Sequence, residues 1–526
     1  MADIPISDVT PVFTKLVDNL RTCGLVESVF QTARLYPDRA AIIDNGHELS
    51  YAQLETLVQA LASYLGPDCG TVGVLTTRSA NTVISLLAVL AAGGIYCPID
   101  PTYPIERQKA LLQAASCVAV IATKPGLTVA DDIRVLTLPE HDAWFAQAGS
   151  TSHLVPDFDA GAYVLFTSGS TGAPKGVVTS HRAIAAAVHS LRELLNITAS
   201  DKVLQFASLS WDTCFEEIFP ALTAGAVLVI DDEAYSGLHA RLLRMIDARQ
   251  VTVLNLPSAF WHELVHYLTE DKRAMPACVR VVVIGGEAAR SARLADWCAL
   301  DTGRIRLVNT YGCTETTLVT HAVDLHGPLA GMRAERRDVP IGKHLPHVLE
   351  HIAESGELFI GGPSLALGYL HLPELNAQRF MLLDLGAGMQ RYFRSGDRVS
   401  RTENGELVHH GRLDSELKVR GIRIDPAEVE LEISSHPDVG VVVVIGVTIA
   451  DHTSMAAYIV PRVPHSTAEV NALSADIFLY LRARLPSHLI PAQIYVVPEL
   501  VYTSSGKVDR AGSQRRYATQ SKMGAL

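Results

Sequence analysis

Along the chain, short apolar runs alternate with segments whose apolar positions recur at helical spacing. Ala40–Asp44 and Leu49–Leu54 read as a hairpin running into a helix through Leu54, Leu57, Leu61 and Leu65. Thr71–Leu75 reads as a buried strand, and Ala80–Ala92 as a helix stopped by Gly93 and Gly94. Further strands are expected at Val118–Ala122, Ala162–Phe166, Val203–Phe206, Val227–Ile230, Val251–Leu254, Val279–Ile284 and Ile305–Val308. Strands alternating with helices predict an α/β fold with mostly parallel sheets, whose ligands sit at the carboxyl ends of strands. Gly356–Tyr369 suggests a small β subdomain. Beyond Asp414 the texture changes to short strands at 441–447 and 456–460 and a helix at 475–485. The expected architecture is a large N-terminal domain of parallel-rich sheets flanked by helices, with the small β subdomain, over 1–413, then a smaller α+β domain over 414–526.

The chain has 526 residues, more than one core usually serves, and is 48% hydrophobic. Its formal charge is 44 − 56 = −12, with no basic patch for nucleic acid and no polybasic run for a membrane surface. The opening Met1-Ala-Asp-Ile-Pro5 lacks the layout of a signal peptide, and every apolar run is too short or broken to span a bilayer. The eight cysteines are scattered without a C-x-x-C pair, which points to reduced thiols in the cytoplasm, with no disulfide framework or metal site. His409-His410 has no partners at ligand spacing and reads as structural.

Leu165–Val177 carries the densest chemistry. After an apolar run it gathers Thr167, Ser168, Gly169, Ser170, Thr171 and Gly172, then Lys175. Glycines let backbone approach a ligand, amides and hydroxyls form a concave anion site, and the lysine adds a point charge. Such a loop suits polyphosphate, yet Pro174 and Gly176 around the lysine exclude the Walker A pattern. A second stretch is Leu209–Phe219. Asp212 can cap a helix whose core stripe is Phe215, Ile218, Phe219 and Leu222. Asp212 and Glu216 are one turn apart, and Glu217 points further away. The local pattern fits either a capping Asp with a solvated Glu or a pocket for a group bearing amines.

The segment TSGSTGAPKGV resembles the phosphate-loop signature of the adenylate-forming superfamily, which includes acyl-CoA synthetases, luciferases and nonribosomal peptide synthetase (NRPS) adenylation domains. Later motifs extend the resemblance over nearly the whole chain. Ala92–Pro101 resembles the second core motif, whose role is packing. Trp211-Asp212 resembles the aromatic–Asp pair whose Asp, in amino-acid-activating members, grips the substrate amino group. Gly285, Gly286, Glu287 and Ala288 resemble the segment on which adenine lies. Asn309-Thr310-Tyr311-Gly312-Cys313-Thr314-Glu315 looks like N-x-Y-G-P-T-E with Cys313 in place of proline. The resemblance implies Tyr311 against adenine, Thr314 toward phosphate and Glu315 as a ligand of Mg²⁺. Arg391–Arg398 resembles Y-x-T-G-D with Ser395 for threonine, implying that Asp397 accepts the ribose hydroxyls. Gly411–Gly421 resembles the eighth motif, with Asp414 as hinge and Arg412 reaching the nucleotide. Ser504–Arg510 resembles the tenth, with Lys507 as catalytic cation, although Val501-Tyr502 stands where an upstream proline is common.

The implied reaction is attack of a substrate carboxylate on the α-phosphorus of ATP, with pyrophosphate leaving. The small domain then turns about the hinge as a mobile lid and admits the phosphopantetheine thiol of a carrier protein. No carrier-type serine motif and no H-H-x-x-x-D-G follows, so a stand-alone domain serving a carrier in trans is expected, with a small MbtH-like activator as a further candidate partner. Carried over position by position, the family's substrate pocket is Asp212, Thr213, Glu216, Asn255, Val283, Gly285, Thr310, Leu318, Val319 and Lys507. Gly285 is expected to leave the floor open, Val283, Leu318 and Val319 to line it, and Glu216 and Asn255 to supply an anion and a carbonyl. This lining resembles the pockets of β-lysine-activating domains, and less closely those for ornithine-type residues. A basic diamino acid follows, β-lysine favoured over an ornithine- or lysine-type α-amino acid. An acyl- or aryl-CoA synthetase would have no need of Asp212, and a non-enzymatic homologue would need a lost catalytic residue, which the motifs do not show.

Overall fold

The computed structural model describes residues 24–127, 129, 133–138, 157–169, 174–331, 338–385, 388–414, 416–419, 421–449, 452–463, 467–502 and 508–517. The chain divides into two compact units. The first comprises Met1–Pro101, Lys109–Leu165 and Gly176–Leu413, and the second Thr102–Gln108, Phe166–Lys175 and Asp414–Leu526.

The first unit is built on a nine-stranded sheet. Its strand order is Lys343–His344, Val319–His326, Arg306–Gly312, Val281–Gly285, Val253–Pro257, Lys202–Leu204, Val227–Ile230, Ala40–Asp44 and His47–Ser50. The six strands from Arg306–Gly312 to Ala40–Asp44 run parallel, and the flanking strands are antiparallel. A seven-stranded sheet holds Thr71–Leu75 between Ile95–Ile99 and Ala119–Ala122, all parallel. A five-stranded antiparallel sheet around Met389–Arg401 forms the small β subdomain. The fold class is thus the one the periodicity predicts.

Alternation sets which face each residue buries. Val253, Val281, Val283 and Val308 join one core with the helices Ala80–Ala91, His181–Leu195 and Thr213–Ala224. Leu254, Leu256, Val282 and Ile284 point the other way, onto Trp261 and Trp297. Local chemistry frames the helices. Ser50 and Gln53 make a reciprocal capping box at the start of Tyr51–Leu65, and Asn196 closes His181–Leu195 in a left-handed conformation at φ 48°. In Ala80–Ala91 every residue but Asn81 is buried, which is why that stretch reads as apolar all round.

The second unit contains a hairpin, Leu417–Val419 with Ile422–Ile424, and the three-stranded sheet Val439–Ile449, His452–Pro461 and Gln493–Val496. Pro426–Ser434 starts on an Asp425 cap with proline in the first turn. The helix Thr467–Arg482 lies further upstream than the 475–485 the pattern suggests, and packs Ile477 and Leu481 against Ile459 and Val444. No helix among the described residues is long and apolar enough to cross a membrane.

Candidate active site

Four neighbouring parallel strands bring their carboxyl ends together in the first unit: Lys202–Leu204, Val253–Pro257, Val281–Gly285 and Arg306–Gly312. In register, Asn255 lies beside Val283 and Val283 beside Val308. The period of two then places Asn255, Val283, Gly285 and Thr310 on one face, with Asn309 and Tyr311 on the other. Alternation along Arg306–Gly312 therefore turns Thr310, expected in both the substrate and nucleotide sets, away from Asn309 and Tyr311. The sequence pattern ends this strand at Val308, short of Asn309–Gly312. They extend the strand instead, because Val319–His326 returns antiparallel and supplies their hydrogen bonds.

That return is tight. A Cβ on Gly312 would sit 1.8 Å from the carbonyl oxygen of Leu318, so only glycine fits there. Thr317 and Leu318 both take left-handed conformations, at φ 59° and 63°. Two such non-glycine residues in succession are strained, and Leu318 and Val319 are thereby turned inward and buried. Cys313 replaces the usual proline without loosening the turn, since its amide and thiol both meet Thr316 Oγ1 at 3.3 Å.

Asp212 occupies the N-cap position of Thr213–Ala224 but makes no side-chain capping bond. Its carboxyl faces the Thr314 hydroxyl and the charge of Glu315, and burial holds its pKa above the usual carboxylate range. One turn on, Glu216 accepts from Asn255 Nδ2 at 2.9 Å, and burial pushes its pKa up to about 8. Glu216 is thus half-buried and hydrogen-bonded, not a freely solvated charge. Among the described residues no ion pair holds Asp212 or Glu216.

The expectation about Gly285 needs correcting. A Cβ there would come within 2.6 Å of Thr310 Oγ1, which donates to the Ile284 carbonyl at 3.0 Å. The space over Gly285 is therefore taken by the threonine hydroxyl and is not an open floor. Gly286 carries the positive φ of the next turn, at 82°, and the carbonyls of Gly285 and Glu287 both accept from Ser258 Oγ, at 3.1 and 3.0 Å. Ala288, half a turn further on, is exposed.

On the opposite strand face, Asp397 is buried among three donors. Tyr311 OH donates to Oδ2 at 2.5 Å, while Arg412 Nη1 and His409 Nε2 reach Oδ1 at 3.0 and 3.2 Å. His409, expected to be structural, holds the same carboxylate in place. The missed signal was hairpin register: Asp397 pairs with Arg412 and Val399 with His409 across Met389–Arg401 and Leu407–Arg412. Glu315 is buried and accepts from Tyr369 OH at 2.7 Å. Asn309 donates to the Pro340 carbonyl at 2.8 Å, but among the described residues its own Oδ1 is buried without a partner.

In the second unit, Ser168 Oγ donates to the Arg423 carbonyl at 2.9 Å and accepts from the Asp425 amide at 2.8 Å. Gly169 N–H donates to Glu428 Oε2 at 3.3 Å, and Lys175 Nζ stands 3.8 Å from Glu416. Among the described residues Thr167 Oγ1 is buried without a partner, and Asp414 accepts from the Glu416 amide at 3.2 Å. Ser170, Thr171, Gly172 and Lys507 lie outside the described residues.

The AMP-binding enzyme family matches residues 29–370, and the AMP-binding enzyme C-terminal domain matches 428–507. The chain belongs to the AMP-binding enzyme family. A syringomycin synthase (SyrB1) of Pseudomonas syringae pv. syringae is 32% identical, covering 96% of this chain and 84% of that protein. An isonitrile lipopeptide synthase of Streptomyces coeruleorubidus is 36% identical over 89% of this chain, which spans only 32% of that protein. Among solved structures, an artificially fused adenylation–PCP di-domain NRPS from Klebsiella oxytoca superposes with TM-score 0.77 at 25% identity, covering 96% of this chain and 97% of its own. A holo NRPS protein containing adenylation and PCP domains, bound to a vinylsulfonamide inhibitor, superposes with TM-score 0.81 at 26% identity, covering 95% and 86%. With its two domains in family order, this family member is a carboxylate–AMP ligase of the adenylation-domain type.

Proposed function

We propose that this adenylation enzyme activates a basic diamino acid, β-lysine favoured, as its aminoacyl-adenylate and passes it to the thiol of a phosphopantetheinyl carrier. The observation that carries the substrate class is the pair Asp212 and Glu216: two crowded carboxyls one helical turn apart, with no cation paired to either among the described residues. A substrate with two ammonium groups supplies both missing charges. Because Thr310 fills the space over Gly285, selectivity rests on Glu216 and not on an open floor.

In this reading Asp212 takes the ammonium group nearer the carboxylate, and Glu216, oriented by Asn255, takes the distal one. Asp397, fixed by Tyr311, His409 and Arg412, accepts the ribose hydroxyls of ATP, and Thr167–Lys175 receives the β- and γ-phosphates. Adenine lies along Gly285–Ala288 beside Tyr311. Lys507 bridges the substrate carboxylate and the α-phosphate, where two anions must meet. Asp414 is the hinge. The donor set also fits Mg²⁺: Glu315 is a buried carboxylate beside a second one, Asp212, an arrangement that a hard cation relieves. When bound through Glu315, the ion would neutralise charge on the departing pyrophosphate. The carrier partner is supported by the two adenylation–PCP structures. An MbtH-like activator and a cytosolic setting rest on the sequence reading alone.

The test is pyrophosphate exchange across β-lysine, ornithine, lysine, leucine and a fatty acid. Basic diamino acids should exceed leucine in kcat/KM by about tenfold or more, the value of one charged contact. Leucine or the fatty acid as best substrate would overturn the reading.

A further inference from the structure

Glu217 and Arg78 are buried or half-buried charged residues that the proposed chemistry does not use. Glu217 has no accessible surface, and its carboxyl turns beneath the segment between Leu204, where a sheet strand ends, and Asp212. Its Oε1 accepts from the amides of Phe206 and Ala207 at 3.1 and 3.0 Å, and its Oε2 from Gln205 Nε2 at 3.1 Å. From the other side Arg78 Nη1 donates to the carbonyls of the same two residues, at 2.7 and 3.3 Å. The guanidinium lies over the Tyr235 ring, 3.6 Å from its centroid, and the Tyr235 hydroxyl donates in turn to Gln205. Further along, Ser210 and Thr76 share a hydrogen bond of 2.9 Å.

Residues 206 and 207 have therefore left the sheet ladder, and their peptide groups are satisfied by an acid on one side and a base on the other. Backbone in the interior needs such partners. Sheet or turn hydrogen bonds would have met that need more simply, without burying two charged side chains. What these side-chain hydrogen bonds add is direction. Glu217 sits on the helix that Asp212 begins, one turn in, so its bonds tie that helix back to the segment leading into it.

We propose that Glu217 and Arg78 are positioning residues that clamp residues 205–212 and so fix where Asp212 presents its carboxyl to the substrate. This rests on the reading that Asp212 binds the ammonium group. The experiment pairs amide hydrogen exchange over residues 203–214 with steady-state pyrophosphate exchange, using Glu217→Ala, Glu217→Gln and Arg78→Gln of the full chain. In Glu217→Ala, exchange at 205–212 should quicken and the KM for the amino acid rise about tenfold or more, with the KM for ATP within about twofold. Glu217→Gln keeps an acceptor for both amides and should restore most of the loss. If Glu217→Ala does not fold, Arg78→Gln removes only the carbonyl side and should show the same split at about threefold. Unchanged exchange, or amino-acid and ATP KM rising together, would overturn the clamp. Should Asp212→Asn leave the amino-acid KM unmoved, the ammonium reading fails instead, and the clamp is judged on the exchange data.

Discussion

Two acidic centres of the first unit are built on opposite principles. Asp397 is compensated in advance: an arginine, a histidine and a tyrosine hydroxyl converge on one carboxylate. Asp212 and Glu216 are left with neutral donors, Thr314 and Asn255, and burial drives both toward the protonated form. In the proposed reading a nucleotide is a constant ligand, so Asp397 as its ribose acceptor can be frozen in place by the protein's own charges. An amine substrate brings its own charge, and a carboxyl already neutralised by the protein could not discriminate for it. On the proposed assignment, completeness marks the common half of the reaction and incompleteness the selective half.

The comparison breaks hardest at Asp397. Asp397→Ala leaves Arg412 and His409 without their anion in a buried place, and removing one partner of such a group costs about 3–5 kcal/mol. A lowered urea midpoint should accompany a raised KM for ATP, whichever amino acid is used. An ATP KM within twofold of the parent would separate Asp397 from nucleotide binding. Asp212→Asn comes next. It removes an anion that has no protein cation to abandon, so stability should hold or rise while the amino-acid KM climbs by about 2–3 kcal/mol, on the order of a hundredfold. A fall in stability like that of Asp397→Ala would mean that Asp212 is structurally compensated after all.

Much of this was legible from residue order. The apolar runs Val279–Ile284 and Ile305–Val308, set between helical stretches, pointed to parallel strands, and the spacing of Asp212 and Glu216 gave the acid pair. What escaped reading depends on contacts between distant segments. His409 becomes meaningful only when hairpin register folds it back toward Asp397. Thr310 closes the space over Gly285 because neighbouring strands approach closely there, which composition does not encode. Glu217 reads as one more helix charge until the segment 205–207 is seen to lie across it.

The smallest effect tests the incompleteness itself. In the unfolded chain Glu216 loses its proton near 4.5, and in the folded enzyme near 8. Between those values the folded state retains a proton the unfolded state has released, so stability falls as pH rises through that window. Glu217 is raised in the same direction, also to about 8, so the parent slope is not due to Glu216 alone. Glu216→Gln deletes one share. Urea midpoints at pH 5.5 and 8 should then differ less than in the parent, by on the order of 1–2 kcal/mol. Adding a diamino acid at pH 8 should restabilise the parent more than the variant, because its cation favours the ionised Glu216. Parallel slopes for parent and variant would show that Glu216 already has its counter-charge in the free enzyme, and the contrast between the two acidic centres would fall.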